Sequence, residues 1–153
     1  DLWNTGLNMI LIRYAEVLLN YAEAKIETGA IDNSVYDAID AVRQRAGMPK
    51  VNRAVYASQN SLRTLLRRER RAELALEGLR WFDIKRWKIG PQVRQGTVYG
   101  TRLGTVDPKN GSLTLTGDPV EAESRTFSDK DYLWPIPLLE MTSNPNMVQN
   151  PGW

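Results

Sequence analysis

At 153 residues, 42% hydrophobic and 25% charged, the chain is long and apolar enough for one compact domain with a real core, and its composition does not point to disorder. Cysteine and histidine are both absent, which excludes disulfides, thiolate metal sites, cysteine nucleophiles, serine–histidine triads and most zinc sites. The net charge of +2 hides a split, because residues 61–90 hold nine Lys and Arg against four Asp and Glu while the remainder holds eleven against fourteen. Acidic residues interleave with those arginines, and neither zinc-finger spacing nor a glycine-aromatic RNA motif accompanies them, so nucleic acid is not an expected partner. No metal or cofactor is expected. No run of about 18 apolar residues is present to span a membrane, and no basic-then-apolar leader follows Asp1, an absence that speaks for this stretch alone.

The first helix is expected from Arg13 to Thr28, with Tyr14, Val17, Leu18, Tyr21 and Ala22 as its core face and Glu16, Asn20, Glu23 and Glu27 as a narrow polar back. Leu19 and Ile26 widen the apolar arc, as in a helix sandwiched between neighbours. Gly29 ends it. Ser34 then caps a second helix, with Asp37 three residues on and Val35, Ala38, Ile39, Val42 and Ala46 at helical spacing, ended by Gly47 and Pro49. Two helices on a short turn, with Tyr and Ala at the crossing positions, have the grammar of a tetratricopeptide-type hairpin. One hairpin cannot bury its own faces, so it is expected to stack on the next helix and on helices outside this chain.

The longest periodic run follows. Leu62, Leu65, Leu66, Ala72 and Leu76 predict an amphipathic helix over 61–78, capped by Asn60 or Ser61 and ended or kinked at Gly78. Trp81, Phe82, Ile84 and Trp87 continue as a bulky apolar segment. Glu69 and Glu73 project from the leucine face, where an unpaired carboxylate would cost several kcal/mol. Arginine forks are expected to reach them from Arg13, Arg43, Arg45, Arg80 or Arg86, since Arg63, Arg67, Arg68, Arg70 and Arg71 point mostly to the helix's other face. The carboxylates admit two readings, an acid and base pair or an ion-paired strut that fixes helix register. Surrounding guanidinium groups lower carboxylate pKa values, which suits the strut.

Beyond Trp87, glycines recur at 90, 96, 100, 104, 111 and 117 and helical periodicity disappears. Asn110-Gly111 is expected to be a two-residue turn, with Leu103 to Val106 and Leu113 to Thr116 as a small hairpin. Loops carrying Tyr99, Thr101 and Arg102 offer ligand-contact surface or a solvated connection. In the tail, Pro135 and Pro137 impose an extended path, Pro137 opens a short helical turn through Glu140, and Trp134, Ile136 and Leu138 read as inward pegs of a rigid strap.

Ile12-Arg-Tyr-Ala-Glu-Val-Leu-Leu-Asn-Tyr-Ala-Glu-Ala24, Arg68 to Trp87, and Leu133-Trp-Pro-Ile-Pro followed by Asn144-Pro-Asn and Gln149-Asn-Pro-Gly152 together resemble the SusD/RagB family of lipid-anchored glycan-capture proteins. Leu79 and the Leu138-Leu139 pair depart from residues that are often polar there. The resemblance implies a mainly α fold: a tetratricopeptide-like hairpin, a long amphipathic helix, a Gly-rich region with a short hairpin, and a Pro-rich C-terminal strap. It implies that residues 1–153 are the C-terminal portion of a longer protein whose missing N-terminal part carries the lipid anchor and further helices. It also implies an external outer-membrane location, a TonB-dependent SusC-like transporter as partner, and glycans that are bound rather than broken.

Sugars stack their apolar C–H faces on aromatic rings. The aromatics outside the core helices are Trp3, Tyr56, Tyr99 and Phe127. Trp3 and Tyr99, with Arg102, are the expected ligand contacts, because they lie in polar or glycine-flanked loops. Two other functions compete with glycan capture. One is a tetratricopeptide-type scaffold for protein recognition. The other is an enzyme seated on Glu69, Glu73 and Glu77, which is not expected.

Overall fold

A computed structural model describes residues 10–153, which fall in two compact units divided after Arg80. In the first unit, α1 (Tyr14–Glu27), α2 (Asn33–Arg45) and α3 (Gln59–Glu73) pack around one core. Each helix contributes a stripe at three- and four-residue spacing: Leu19, Ala22 and Ile26; Val35, Ala38, Ile39 and Val42; Leu62, Leu65 and Leu66. Burying each leucine contributes about 1.5–3 kcal/mol, which makes this face the main source of stability.

The buried face of α1 is only in part the expected one. Ala22 is buried and Leu18 packs against the core as expected, but Tyr14, Val17 and Tyr21 are exposed, and Leu19 and Ile26 complete the inward face. Both α2 and α3 pack on α1, and the small Ala22 lets them approach between two larger apolar residues. The other apolar side of α1 is left exposed at Tyr14 and Val17, while the Tyr21 hydroxyl meets the Ser34 hydroxyl at 2.7 Å.

Caps also shift. Asp32, not Ser34, caps α2 by accepting from the Ser34 N–H at 2.9 Å, and Ser58 caps α3 in a reciprocal box with Ser61. Gln59 donates its amide to the Ile26 carbonyl at 2.6 Å, tying the start of α3 to the end of α1. The helix stops at Glu73, ahead of Gly78, because the chain turns to bury Leu74 against the core. Leu76, expected in the apolar face, is instead exposed with a φ of 66°. In the loop between α2 and α3, the Val51 N–H donates to the buried Asp40 of α2 at 2.6 Å.

The second unit follows α4 (Arg80–Arg86) with a single turn, α5 (Gly90–Val93), and then β1 (Gly96–Tyr99), β2 (Leu103–Val106), β3 (Leu113–Thr116) and β4 (Glu121–Arg125). The hairpin of β2 and β3 forms over the expected residues, with pairs from Leu103↔Thr116 to Val106↔Leu113. Its connection is longer than two residues, since Asp107 N–H bonds the Ser112 carbonyl at 2.9 Å and the Asp107 side chain caps the loop through the Lys109 N–H. Outside it, β1 pairs with β4 from Gly96↔Arg125 to Val98↔Glu123, a ladder the glycine-rich sequence concealed. The hairpin is nested within that outer ladder.

A 3₁₀ turn (Asp129–Tyr132) and α6 (Leu138–Ser143) complete the unit. Between them Pro135 and Pro137 lack N–H groups, so Ile136 supplies the donor of this stretch. It is met by the Gln149 side chain, which accepts from Ile136 N at 2.8 Å and donates to its carbonyl at 2.9 Å, as a paired strand would. Asn150 donates to the Trp134 carbonyl at 2.6 Å, so the Gln-Asn-Pro-Gly motif holds the Trp-Pro-Ile-Pro backbone. The expected inward pegs are corrected here: Trp134 and Leu138 are exposed, and Ile136 alone is half-buried.

Candidate functional site: an aromatic cleft

Phe127 is buried in the second unit, with Trp81 and Tyr132 edge-on to it at ring separations of 6.3 and 4.8 Å. The cluster closes over Gly90, whose N–H donates to the Tyr132 hydroxyl at 3.1 Å. A Cβ on Gly90 would lie 2.1 Å from the Phe127 ring, so only glycine admits it. Gly90→Ala is expected to destabilise the protein by about 1–3 kcal/mol, read as a lower urea midpoint, with partial recovery in Gly90→Ala/Phe127→Leu.

Above this floor lies a cleft of about 540 Å³, with Trp134 and Trp153 among its walls. Trp134 is 70% exposed and Trp153 47%. Lys85 holds its ammonium 5.0 Å from the Trp81 ring centre and 4.7 Å from that of Trp134, and the Arg94 guanidinium sits 5.5 Å from Trp81. The Trp153 indole N–H donates to the Lys130 carbonyl at 3.1 Å, while the Lys130 ammonium sits over its ring at 4.3 Å. The Trp81 indole nitrogen is shielded from solvent without a hydrogen-bond partner, a cost that phenylalanine would not incur. Arg125 pairs with Glu123 at 2.7 Å, and Asp131 caps the 3₁₀ turn through the Ser128 N–H at 2.7 Å. Exposed indole faces beside donors that remain available suit a polyhydroxylated ligand with an apolar face.

The expected contacts fall elsewhere. Trp3 lies outside the described residues. Tyr99 is exposed on β1, and Arg102 donates to the Gly117 carbonyl at 2.7 and 3.0 Å; neither lines the cleft. Tyr56 packs against the first unit's core and accepts, through its carbonyl, from the Tyr36 hydroxyl at 2.9 Å. Phe127 alone of the named aromatics is in the cleft. The missed tryptophans carried one local signal: Trp81 and Lys85 are four apart on a helix, the spacing that stacks a cation on a ring.

The carboxylates of α3 are enclosed by guanidinium groups. Arg43 bonds Glu69 and donates to the Pro49 carbonyl at 2.8 Å. Glu73 receives Arg13 at 2.6 Å and Arg45 at 2.7 Å, and Arg13 also grips Glu77 at 2.6 Å. A groove of about 490 Å³ borders Glu69 and Glu73, but the arginines occupy their oxygens. Arg80 and Arg86 reach neither carboxylate. Arg86 bonds Asp83 three residues earlier at 2.9 Å, and Arg45 takes the second place on Glu73. The helix's own arginines are not idle on a far face either. The buried Arg70 donates to Asn20 at 2.7 Å, and Arg63 grips Glu27 at 2.8 Å, both on α1.

Hydrogen bonds from Arg13 hold the Glu77 carboxyl below the ordinary range, and Lys25 with Ser34 brings Asp32 down to about 2. The unfolded chain takes up these protons first as pH falls, so their contribution is complete above about pH 5 and lost between 4.5 and about 2. The melting temperature is therefore expected to level off above pH 5 and fall below it. Asp32→Asn should soften the lower part of that fall; an identical profile would contradict this assignment.

One unit holds a three-helix core and the other a nested β-ribbon with an aromatic cleft. The SusD family model matches residues 1–153, and the chain belongs to that family. It is 34% identical over 155 residues to SusD-like protein P2 of Formosa agariphila, covering 97% of this chain and 26% of that protein. A solved SusD-like protein from Bacteroides fragilis matches with a TM-score of 0.77 and 35% identity, covering 94% of this chain and 26% of its own. A second from the same species, described as a SusD-like carbohydrate-binding protein, gives 0.69 and 38% identity over 89% of this chain and 28% of its own. The chain spans about a quarter of the length of these relatives. Among the described residues no helix is long and apolar enough to cross a membrane.

Proposed function

We propose that this chain is the C-terminal portion of a non-catalytic glycan-capture protein. It is held at the external face of the outer membrane by a lipid anchor outside this segment, and it delivers its ligand to a TonB-dependent SusC-like transporter. Membership of the SusD family, with a carbohydrate-binding relative at 38% identity, carries the reading. The exposed tryptophans of the cleft support it, because they offer what a sugar ring stacks on. Trp3, Tyr99 and Arg102 are proposed as further ligand contacts. The arginine-bound Glu69, Glu73 and Glu77 serve as a strut rather than as acid and base.

The α1–α2 hairpin is read as one tetratricopeptide-like unit, and the Pro-rich tail as a strap. The exposed stripe of Tyr14, Val17 and Tyr21 favours a second reading, a scaffold that recognises protein. Affinity electrophoresis of the full-length protein through gels containing a panel of plant and algal polysaccharides separates the two. Retardation by at least one polysaccharide, with no new reducing ends on incubation, is expected. Free migration through every gel overturns glycan capture.

A further inference from the structure

Five charged residues line the cleft: Lys85, Arg94, Arg125, Glu123 and Asp131. Three of the five are already engaged. Arg125 and Glu123 neutralise one another at 2.7 Å, and Asp131 is engaged by the Ser128 N–H and hydroxyl at 2.7 and 3.0 Å. Lys85 and Arg94 differ: among the described residues neither has a carboxylate within ion-pair distance, and Lys85 is held against the faces of Trp81 and Trp134 while Arg94 is held against that of Trp81. A ring face fixes a cation in place without consuming its N–H donors, so Lys85 keeps three and Arg94 its fork. The pair is half-buried, which weakens solvent screening and rewards an ionised acceptor over a hydroxyl by roughly twofold in bond strength.

We propose that the cleft takes an anionic glycan, its ring on Trp134 and its carboxylate or sulfate between Lys85 and Arg94. This rests on the glycan-capture reading and goes beyond it in naming the charge class and the residues that read it. The lining carries three cations against two carboxylates, so it stays net positive, with Glu123 offset by Arg125 and the Asp131 carboxylate turned onto the Ser128 N–H and hydroxyl.

The test is calorimetry on the full-length protein with three probes: an oligogalacturonate, a sulfated galactan oligosaccharide, and a neutral galacto-oligosaccharide. An anionic probe is expected to bind about tenfold or more tightly than the neutral one at low salt. High salt, Lys85→Gln and Arg94→Gln should each erase that preference, while Lys85→Arg keeps it and all three variants retain the wild-type melting temperature. Whichever anionic probe wins assigns carboxylate or sulfate. Equal binding of the neutral probe, or a preference that survives both glutamine variants, overturns the inference and leaves glycan capture standing. Should all three probes fail while the gel panel still shows retardation, the inference alone falls; if the panel fails too, both fall.

Discussion

Arg43→Ala lowers the unfolding free energy by about 3–5 kcal/mol, the expected cost of stranding a largely buried carboxylate. Arg43 is 9% exposed and Glu69 15%, so without Arg43 only the longer, exposed Arg68 contact at 3.7 Å stays with Glu69, and the Pro49 carbonyl loses its donor as well. Arg43→Met/Glu69→Met removes both charges together and should recover most of that loss, because the penalty lies in the unpaired ion rather than in the pair. Urea unfolding followed by far-ultraviolet circular dichroism checks it. A loss below about 1 kcal/mol in Arg43→Ala would mean that Glu69 is solvated and the strut is not holding α2 to α3.

Trp134→Ala is expected to cut glycan affinity tenfold to a hundredfold, or about 1.4–2.8 kcal/mol, while leaving the melting temperature nearly unchanged. Both halves follow from its exposure of 70%: little of the ring supports the fold, and most of it is available to a ligand. Trp153→Ala should behave similarly with a smaller loss, since its indole N–H also ties the C-terminus to the Lys130 carbonyl. Isothermal titration with a polysaccharide retained in the gel panel measures both. Unaltered affinity in the pair would remove the cleft as the recognition site.

Much of the helical unit was legible because its signals are local. Val35, Ala38, Ile39 and Val42 repeat at helical spacing and are buried, as Leu62, Leu65 and Leu66 are. What failed there was choice among equals. The first helix is apolar on more than one side, and no periodicity argument says whether Leu19 or Tyr21 faces the neighbours; that is decided by which side α2 and α3 occupy. Helix α3 likewise ends where Leu74 finds the core, not at the glycine that could have ended it.

The cleft was less legible, for a physical reason. Its walls come from α4, β4 and the tail, brought together by a ladder between β1 and β4 whose residues are nearly all exposed and so lack the alternation that marks a strand. Trp134 reads as an inward peg because large aromatics usually are buried, and it departs from that rule, as Trp153 does. Such departures are informative, since a large exposed ring gives up burial energy that a folding requirement alone would have claimed.

Side-by-side titration of full-length Glu69→Gln/Glu73→Gln and Trp134→Ala/Trp153→Ala with the retained polysaccharide, counting new reducing ends, weighs strut against cleft most directly. The carboxamide protein should bind as the wild type does and release no product, whereas the protein lacking both indoles should scarcely bind. Undiminished binding without the tryptophans, or reducing ends that form with wild-type protein and vanish with the carboxamides, would return the chemistry to α3.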